Sequence, residues 1–288
     1  MKNNLRLRIL TIALFACFSL SAVAQKQFGG LALYTVRDDM KNDPKGVLKQ
    51  VADAGYKYVE DAGYSDGKFY GMTPTEFKST LSELGLEPIS SHQGGITYEN
   101  ADQTIADLKA VGFKYLVVPI PPMGHFKYYP ETKSMGMTGG AANLAEILNI
   151  LGEKCTKAGL KLLYHNHDFE YKKDADGIVT IDYLLENTDP KHVNFQMDLF
   201  WVTKAEASPT AYFEKYPGRF IAWHVKDMDE EGKFAPVGNG TIDFAKILAE
   251  KKASGMKYYF VEQDQTFNMK PLEAIKVSHK ALEEIGFK

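Results

Sequence analysis

Hydrophobic and polar positions in this chain fall into a recurring three-part unit: a helix-like segment, a glycine, then a short apolar run. The unit appears as VADAGYKYVED around Gly55, LSELGLEPISS around Gly85 and LKAVGFKYLVVP around Gly112. It returns as CTKAGLKLLYHN around Gly159 and KKASGMKYYFVE around Gly255. A glycine in that place ends a helix, because a residue without Cβ enters the left-handed conformation without steric cost. The run that follows is rich in Tyr, Val, Ile, Leu and Phe and suits a buried strand.

Counting weaker repeats as well, the pattern predicts eight strands. They are Gly30–Val36, Tyr56–Glu60, Glu87–Ser91, Tyr115–Ile120, Leu160–His167, Val193–Asp198, Phe220–Lys226 and Tyr258–Glu262. Helices are predicted between them, among them Thr73–Leu84, Asn100–Val111, Ala141–Ala158 and Phe244–Ser254. Eight alternating units in roughly 260 residues match an α/β chain folded as a single (β/α)8 TIM barrel. A doubly wound sheet is the competing arrangement, but no strand leads into G-x-G-x-x-G at the start of a helix. The VGNG stretch at Val237–Gly240 comes late and reads as an ordinary turn.

The first residues change the picture of where the chain works. Lys2, Arg6 and Arg8 precede an apolar run from Ile9 to about Leu20, and Ala22-Val23-Ala24 places small residues where a signal peptidase cuts. The run is short for a bilayer span, so residues 1–24 read as a cleaved signal peptide and residues 25–288 as the barrel. A lipoprotein reading would use Cys17 after Leu14-Phe15-Ala16, at the expense of an unusually short apolar region. The expected location is exported, in the periplasm, without a stable membrane anchor. Cleavage takes three of the 34 basic residues and none of the 37 acidic ones, leaving a net charge of −6. That balance speaks against nucleic acid as a partner. It also leaves Cys155 as the lone cysteine, so no internal disulfide forms and stability rests on the core.

In a barrel, chemistry gathers at the C-terminal ends of the strands, and the polar residues of this chain lie there. Strand one ends in Tyr34-Thr35-Val36-Arg37, strand two in Glu60-Asp61 and strand three in Ser90-Ser91-His92. Strands five to eight end in His165-Asn166-His167, Gln196-Met197-Asp198, His224-Val225-Lys226-Asp227 and Glu262-Gln263-Asp264. Side chains two apart share a face of a strand, which aims His165 and His167 the same way. Asp198, His224 and Glu262, joined by His165, offer a mixed oxygen and nitrogen set suited to one divalent ion, Mn²⁺, Co²⁺ or Zn²⁺, and the sequence leaves open whether His165 or His167 is the inner-sphere ligand. Each residue also has a plainer reading. A strand histidine often only satisfies backbone groups, Asp198 could cap the next helix, and Glu262 could pair with Lys226. Several buried charges at one barrel end nevertheless argue for a site, because unpaired burial is costly. Trp201 could pack on a sugar face or in the core, and Tyr34 and Arg37 are candidate substrate contacts.

The same residues carry a resemblance. LALYTVRD at Leu31–Asp38, YHNHDFEY at Tyr164–Tyr171, MDLFWV at Met197–Val202, HVKD at His224–Asp227, VGNGTIDF at Val237–Phe244 and VEQD at Val261–Asp264 resemble the sugar phosphate isomerase/epimerase family of xylose-isomerase-like barrels. The resemblance covers the whole mature chain. It implies one divalent metal held by Glu, Asp, His and Glu from strands five to eight, of which Asp198, His224 and Glu262 match the last three. The first position departs: His165-Asn166-His167 stands where many members have Glu followed by Asn-His. Epimerases of the group use two glutamates on opposite faces of a carbon, and the histidine-rich strand is closer to the inosose dehydratases, which eliminate water beside a ketone.

The resemblance therefore implies a metal-dependent lyase or hydratase acting on 3-keto-glycosides or 2-hydroxy-3-keto-glucal through a metal-stabilised enediolate. His167 is then the expected acid/base, and Glu262 a ligand that can also act as base. Lys226 and His92 would steady developing charge, with Glu60, Tyr34, Arg37, His92 and Trp201 around the substrate. The enzymatic alternative is a ketose 3-epimerase or aldose–ketose isomerase. The non-enzymatic one is a sugar-binding barrel that keeps the pocket without the chemistry. The expected partner is a small carbohydrate, and the sequence leaves a homo-oligomer open.

Overall fold

A computed structural model describes residues 27–288, so the signal peptide expected at residues 1–24 lies outside the described residues. Eight parallel strands close into a barrel: β1 (Gly30–Ala32), β2 (Tyr58–Asp61), β3 (Glu87–His92), β4 (Tyr115–Val118), β5 (Lys161–His165), β6 (Val193–Asp198), β7 (Phe220–Val225) and β8 (Tyr258–Val261). Each pairs with its sequence neighbours, and β8 pairs with β1 through Gly30↔Phe260 and Leu31↔Val261. All eight predicted strands are present.

Local chemistry explains where the helices start and stop. Thr73 caps the helix Pro74–Glu83 in a reciprocal capping box with Glu76, and Pro74 occupies the first turn, where its missing N–H is harmless. Gly112 and Gly159 end the helices Ala101–Val111 and Gly140–Ala158 at φ 108° and 89°, which a Cβ would disfavour.

Two apolar layers result. Outside the strands, residues such as Leu162, Tyr164, Phe195 and Trp223 pack under the helices. Inside the barrel, a smaller cluster contains Ile89, Val117, Leu163 and Phe260. Along β5 the alternation is complete: Leu162 and Tyr164 point outward, while Leu163 points inward beneath His165.

The ends of several elements differ from the sequence reading. β1 stops at Ala32, and Leu33–Val36 winds into one turn of 3₁₀ helix. That turn places Thr35 Oγ1 where it accepts the Gln263 N–H at 3.1 Å, tying the first and last barrel segments together. β5 ends at His165 rather than His167. The predicted helix Phe244–Ser254 divides at Glu250 into Phe244–Ala249 and Lys251–Ser254. Among the described residues, three small hairpins rise from the βα loops, the longest being Phe126–Tyr129 with Ser134–Met137. VGNG is the turn expected: both Asp227 oxygens gather the N–H groups of Met228, Gly238, Gly240 and Ile242.

Gly30 shows how tightly the barrel interior is filled. A Cβ added there would lie 2.3 Å from the Tyr58 ring and 2.7 Å from the Phe260 ring. Gly30→Ala is therefore expected to cost about 1–3 kcal/mol through overpacking. The shift in urea midpoint, at unchanged slope, measures it.

Candidate active site

The C-terminal ends of β5 to β8 bring His165, Asp198, His224 and Glu262 together, each offering one donor atom within 4.8 Å of the others. His165 Nε2 lies 3.7 Å from Asp198 Oδ2, and His224 Nδ1 lies 4.0 Å from that oxygen. Glu262 Oε2 lies 2.9 Å from His224 Nδ1. Both plainer readings hold alongside this convergence. Asp198 Oδ1 caps the helix Leu199–Lys204 by accepting from the N–H groups of Phe200 and Trp201 at 2.9 and 3.0 Å. Glu262 Oε2 pairs with Lys226 Nζ at 2.6 Å. The cap uses only one oxygen of Asp198, leaving Oδ2 to face the cluster.

Hydrogen bonds beneath the cluster fix the orientation of its two histidines. Glu60 accepts on Oε2 from Ser90 Oγ and Gln196 Nε2, both at 2.6 Å. With its NH₂ group turned to Glu60, Gln196 presents its carbonyl oxygen to His165 Nδ1 at 3.0 Å. A carbonyl only accepts, so His165 carries its proton on Nδ1 and keeps the Nε2 lone pair toward Asp198. Glu60 Oε1 likewise accepts from His224 Nε2 at 2.5 Å, which directs Nδ1 into the cluster. A carboxylate behind a ligating imidazole is a recurrent way to set its tautomer. The donor set, its burial and this alignment fit a divalent cation held by His165 Nε2, Asp198 Oδ2, His224 Nδ1 and Glu262.

Electrostatics follow from the same contacts. Burial alone would lower the His224 ring, but Glu262 and Glu60 on its two sides push it up to about 10, so a cation taken up at Nδ1 would displace the proton that this nitrogen shares with Glu262. Burial would raise Glu60, yet His92 and His224 outweigh it and hold the carboxylate charged. Glu262 is likewise held well below the usual carboxylate range, against its own burial, by Lys226 and His224. His165 has no such compensation, and burial together with its histidine neighbours keeps it neutral. His167 is also neutral, pulled down to about 3 by burial and then by the Lys226 charge.

A cavity of about 640 Å³ opens above the cluster and is lined by Tyr34, Arg37, His92, His165, His167, Trp201, Lys226 and Glu262. Asp198 and His224, both fully buried, form the layer beneath. His167 lies past the end of β5, its ring 5.1 Å from His165 and 5.3 Å from Trp201, and its Nδ1 has no hydrogen-bond partner. The backbone N–H of His167 is held by Glu170 Oε2 at 2.9 Å, while Tyr164 donates to Glu170 Oε1 at 2.7 Å. Arg37 bonds the carbonyls of Tyr34 and Asp264, both at 2.9 Å.

Glu60 departs from its expected role at the substrate. It is 1% exposed and lies behind His92 and His224, so it braces the histidines without reaching the cavity. Several lining residues escape a reading of the sequence. Phe126, Tyr128, Lys133 and Met135 come from the long hairpin and Phe234 from a short one, where no strand-end logic applies. Asp264 and Gln196 are visible as strand-end residues; the spacing of two from Glu262 marks Asp264, and from Asp198 marks Gln196.

Eight parallel strands with their polar residues gathered at one end define a (β/α)8 barrel with its site in the position used by TIM-barrel enzymes. The profile of the xylose isomerase-like TIM barrel family matches residues 48–285, and the chain belongs to that family. It is 30% identical over 269 residues to an inosose dehydratase of Clostridium beijerinckii, covering 84% of this chain and 81% of the relative. An inosose dehydratase of Geobacillus kaustophilus is 24% identical over 239 residues, covering 71% and 74%. The crystal structure of a sugar phosphate isomerase/epimerase from Parabacteroides distasonis superposes with a TM-score of 0.75 at 26% identity, covering 90% of this chain and 98% of the other.

Two outcomes follow from the bracing. Glu60→Gln should weaken divalent-ion binding by about 10–100-fold, the usual cost of removing such a support, as read by chelator competition. Burial raises Glu170 from 4.5 to about 8 in the folded chain. The folded state therefore binds the extra proton between those values, so this contribution to stability is complete below pH 4.5 and lost as pH rises through 8. Urea midpoints across that window should fall for the unaltered protein and fall less for Glu170→Gln.

Proposed function

We propose that the protein is a divalent-metal-dependent carbon–oxygen lyase or hydratase that works on 3-keto-glycosides or 2-hydroxy-3-keto-glucal. The observation that carries this reading is the histidine pair at the end of β5. His165 takes the cluster position, and His167 lines the cavity above it, with a buried Nδ1 that has no hydrogen-bond partner. Its inosose dehydratase relatives are named for removal of water, which is the same class of bond cleavage. The sugar phosphate isomerase/epimerase with the similar barrel supports a small carbohydrate as the substrate class.

A divalent ion bound in the cluster supplies Lewis acidity, polarising the sugar ketone and acidifying the neighbouring C–H bond. The protein residues do the rest. His167 accepts the proton from C2, the C1–O bond breaks with its electron pair moving to the leaving oxygen, and the same imidazole returns the proton to that oxygen. The products are an alcohol and the 2-hydroxy-3-keto-glucal; water added at C1 runs the sequence as a hydration. Glu262, charge-paired with Lys226 and His224, holds the cation rather than taking the C2 proton. Lys226 and His92 face negative charge developing on the sugar oxygens, while Tyr34 and Arg37 border the cavity from the turn and helix that follow β1. The hairpin wall of Phe126, Tyr128 and Met135 suits a departing group with apolar surface. Export directed by residues 1–24 would place the enzyme where glycosides are met, rather than sugar phosphates.

Purified protein with Mn²⁺ or Co²⁺ should release the alcohol from a 3-keto-glucoside or consume the keto-glucal. His167→Ala should lower kcat by about 10²–10⁴-fold, the range of a positioned acid or base, while a bound substrate analogue keeps its affinity. Absence of turnover on either substrate rules out the proposal. Solvent deuterium entering a free ketohexose without loss of a leaving group would instead identify an epimerase or isomerase.

A further inference from the structure

Lys226 occupies an unusual place for a lysine. It is 1% exposed, and its ammonium lies 2.9 Å from Asp198 Oδ2, 2.6 Å from Glu262 Oε2 and 2.9 Å from Asp264 Oδ1. The first two oxygens belong to residues of the cation cluster, and Asp198 Oδ2 is the same atom that faces His165 Nε2 and His224 Nδ1. Asp264 stands outside that cluster. Its side chain is 22% exposed, and the hydrogen bond from Lys226 is directed to it. Asp198 Oδ2, by contrast, has no hydrogen bond of ordinary geometry despite the short distance to Nζ. Trp201 and Phe234 cover the ammonium at 5.7 and 5.5 Å from their ring centres.

We infer that Lys226 is a built-in competitor of the divalent ion, sharing its oxygens, and that Asp264 is the seat to which the ammonium withdraws when the ion binds. Two cations on common carboxylate oxygens repel strongly in a site shielded from water. Binding must therefore either work against the ammonium or move it, and Asp264 is the remaining acceptor within reach. The arrangement keeps the buried carboxylates paired whether or not an ion is held, and it holds the ion less tightly than the donor set alone would. The inference rests on the cation-binding reading of the cluster and is independent of the substrate.

The two residues predict opposite effects on a quantity unrelated to turnover. Co²⁺ binding to the full chain is measured by visible absorption and chelator competition, with Mn²⁺ as a second ion. Lys226→Met should tighten Co²⁺ binding by about 10-fold or more, since it removes a like charge from the site. Asp264→Asn should weaken it by about 5-fold, because the ammonium then stays on the ligand oxygens. In the double variant the Asp264→Asn effect should shrink to about 2-fold or less, the sign of coupling through Lys226. Equal or weaker binding by Lys226→Met, or an undiminished Asp264→Asn effect in the double variant, overturns the inference. If Lys226→Met fails to fold, Lys226→Gln and the stability gained on adding Co²⁺ give the same comparison. Failure of the unaltered protein to bind Co²⁺ or Mn²⁺ would defeat the cation cluster itself, an outcome distinct from any change in the variants.

Discussion

Charge balance among buried groups governs the upper end of this barrel. Glu60, Asp198 and Glu262 are 1%, 0% and 4% exposed, and carboxylates withdrawn from water need cations or donors close by. Lys226 and His224 supply the positive charge, and Ser90, Gln196 and two backbone N–H groups supply further donors. The carboxylates and their partners together come from β2, β3, β6, β7 and the segments that follow β6, β7 and β8. No pair of adjacent strands satisfies the set alone, so the polar network is complete only when the barrel closes. The functional cluster and the closure of the fold are in that sense one arrangement.

The two-residue period of a strand turns this network into tiers. His165, His224 and Glu262 form a lower level, and His167, Lys226 and Asp264, each two residues later, form an upper one. The lower level carries the donor atoms of the cation cluster, while members of the upper level line the cavity. Asp198 has no such successor, because its own side chain starts the helix Leu199–Lys204. The chain turns away at that point and sends Trp201 over the cavity, where it meets His167 and covers Lys226. One aspartate thus ends a strand, caps a helix and faces the cluster.

Much of this is legible in the sequence because the signals are local. Glycine after five of the helix-like segments and apolar runs of strand length mark eight strands, and the polar residues at their ends mark the cluster. What stays hidden depends on contacts remote in sequence. Glu60 looks like a substrate contact because it ends a strand, but strand-end position does not tell a cavity wall from the layer behind it. Only the approach of His224, 164 residues away, decides that. The bend of Leu33–Val36 rests on a bond from Gln263 to Thr35, again a contact between distant segments. The hairpin carrying Phe126, Tyr128 and Met135 has strands of four residues, too short and too exposed for a clear period to register.

The histidine at the strand-five position has a consequence for the electrostatics of the whole cluster. A carboxylate there would add a further negative charge to a region that already holds Glu60, Asp198, Glu262 and Asp264. His165 instead contributes a lone pair with no charge, its proton committed to Gln196. A cation with one neutral ligand in place of an anionic one retains more of its positive charge, and so polarises a bound carbonyl more strongly. Under the proposed function, the exchange would also remove one of the two bases that a two-sided proton transfer requires, leaving His167 as the base on a single side of the substrate. On that proposal, a strongly polarised ketone and a one-sided imidazole would favour loss of a neighbouring group over inversion of the carbon between them.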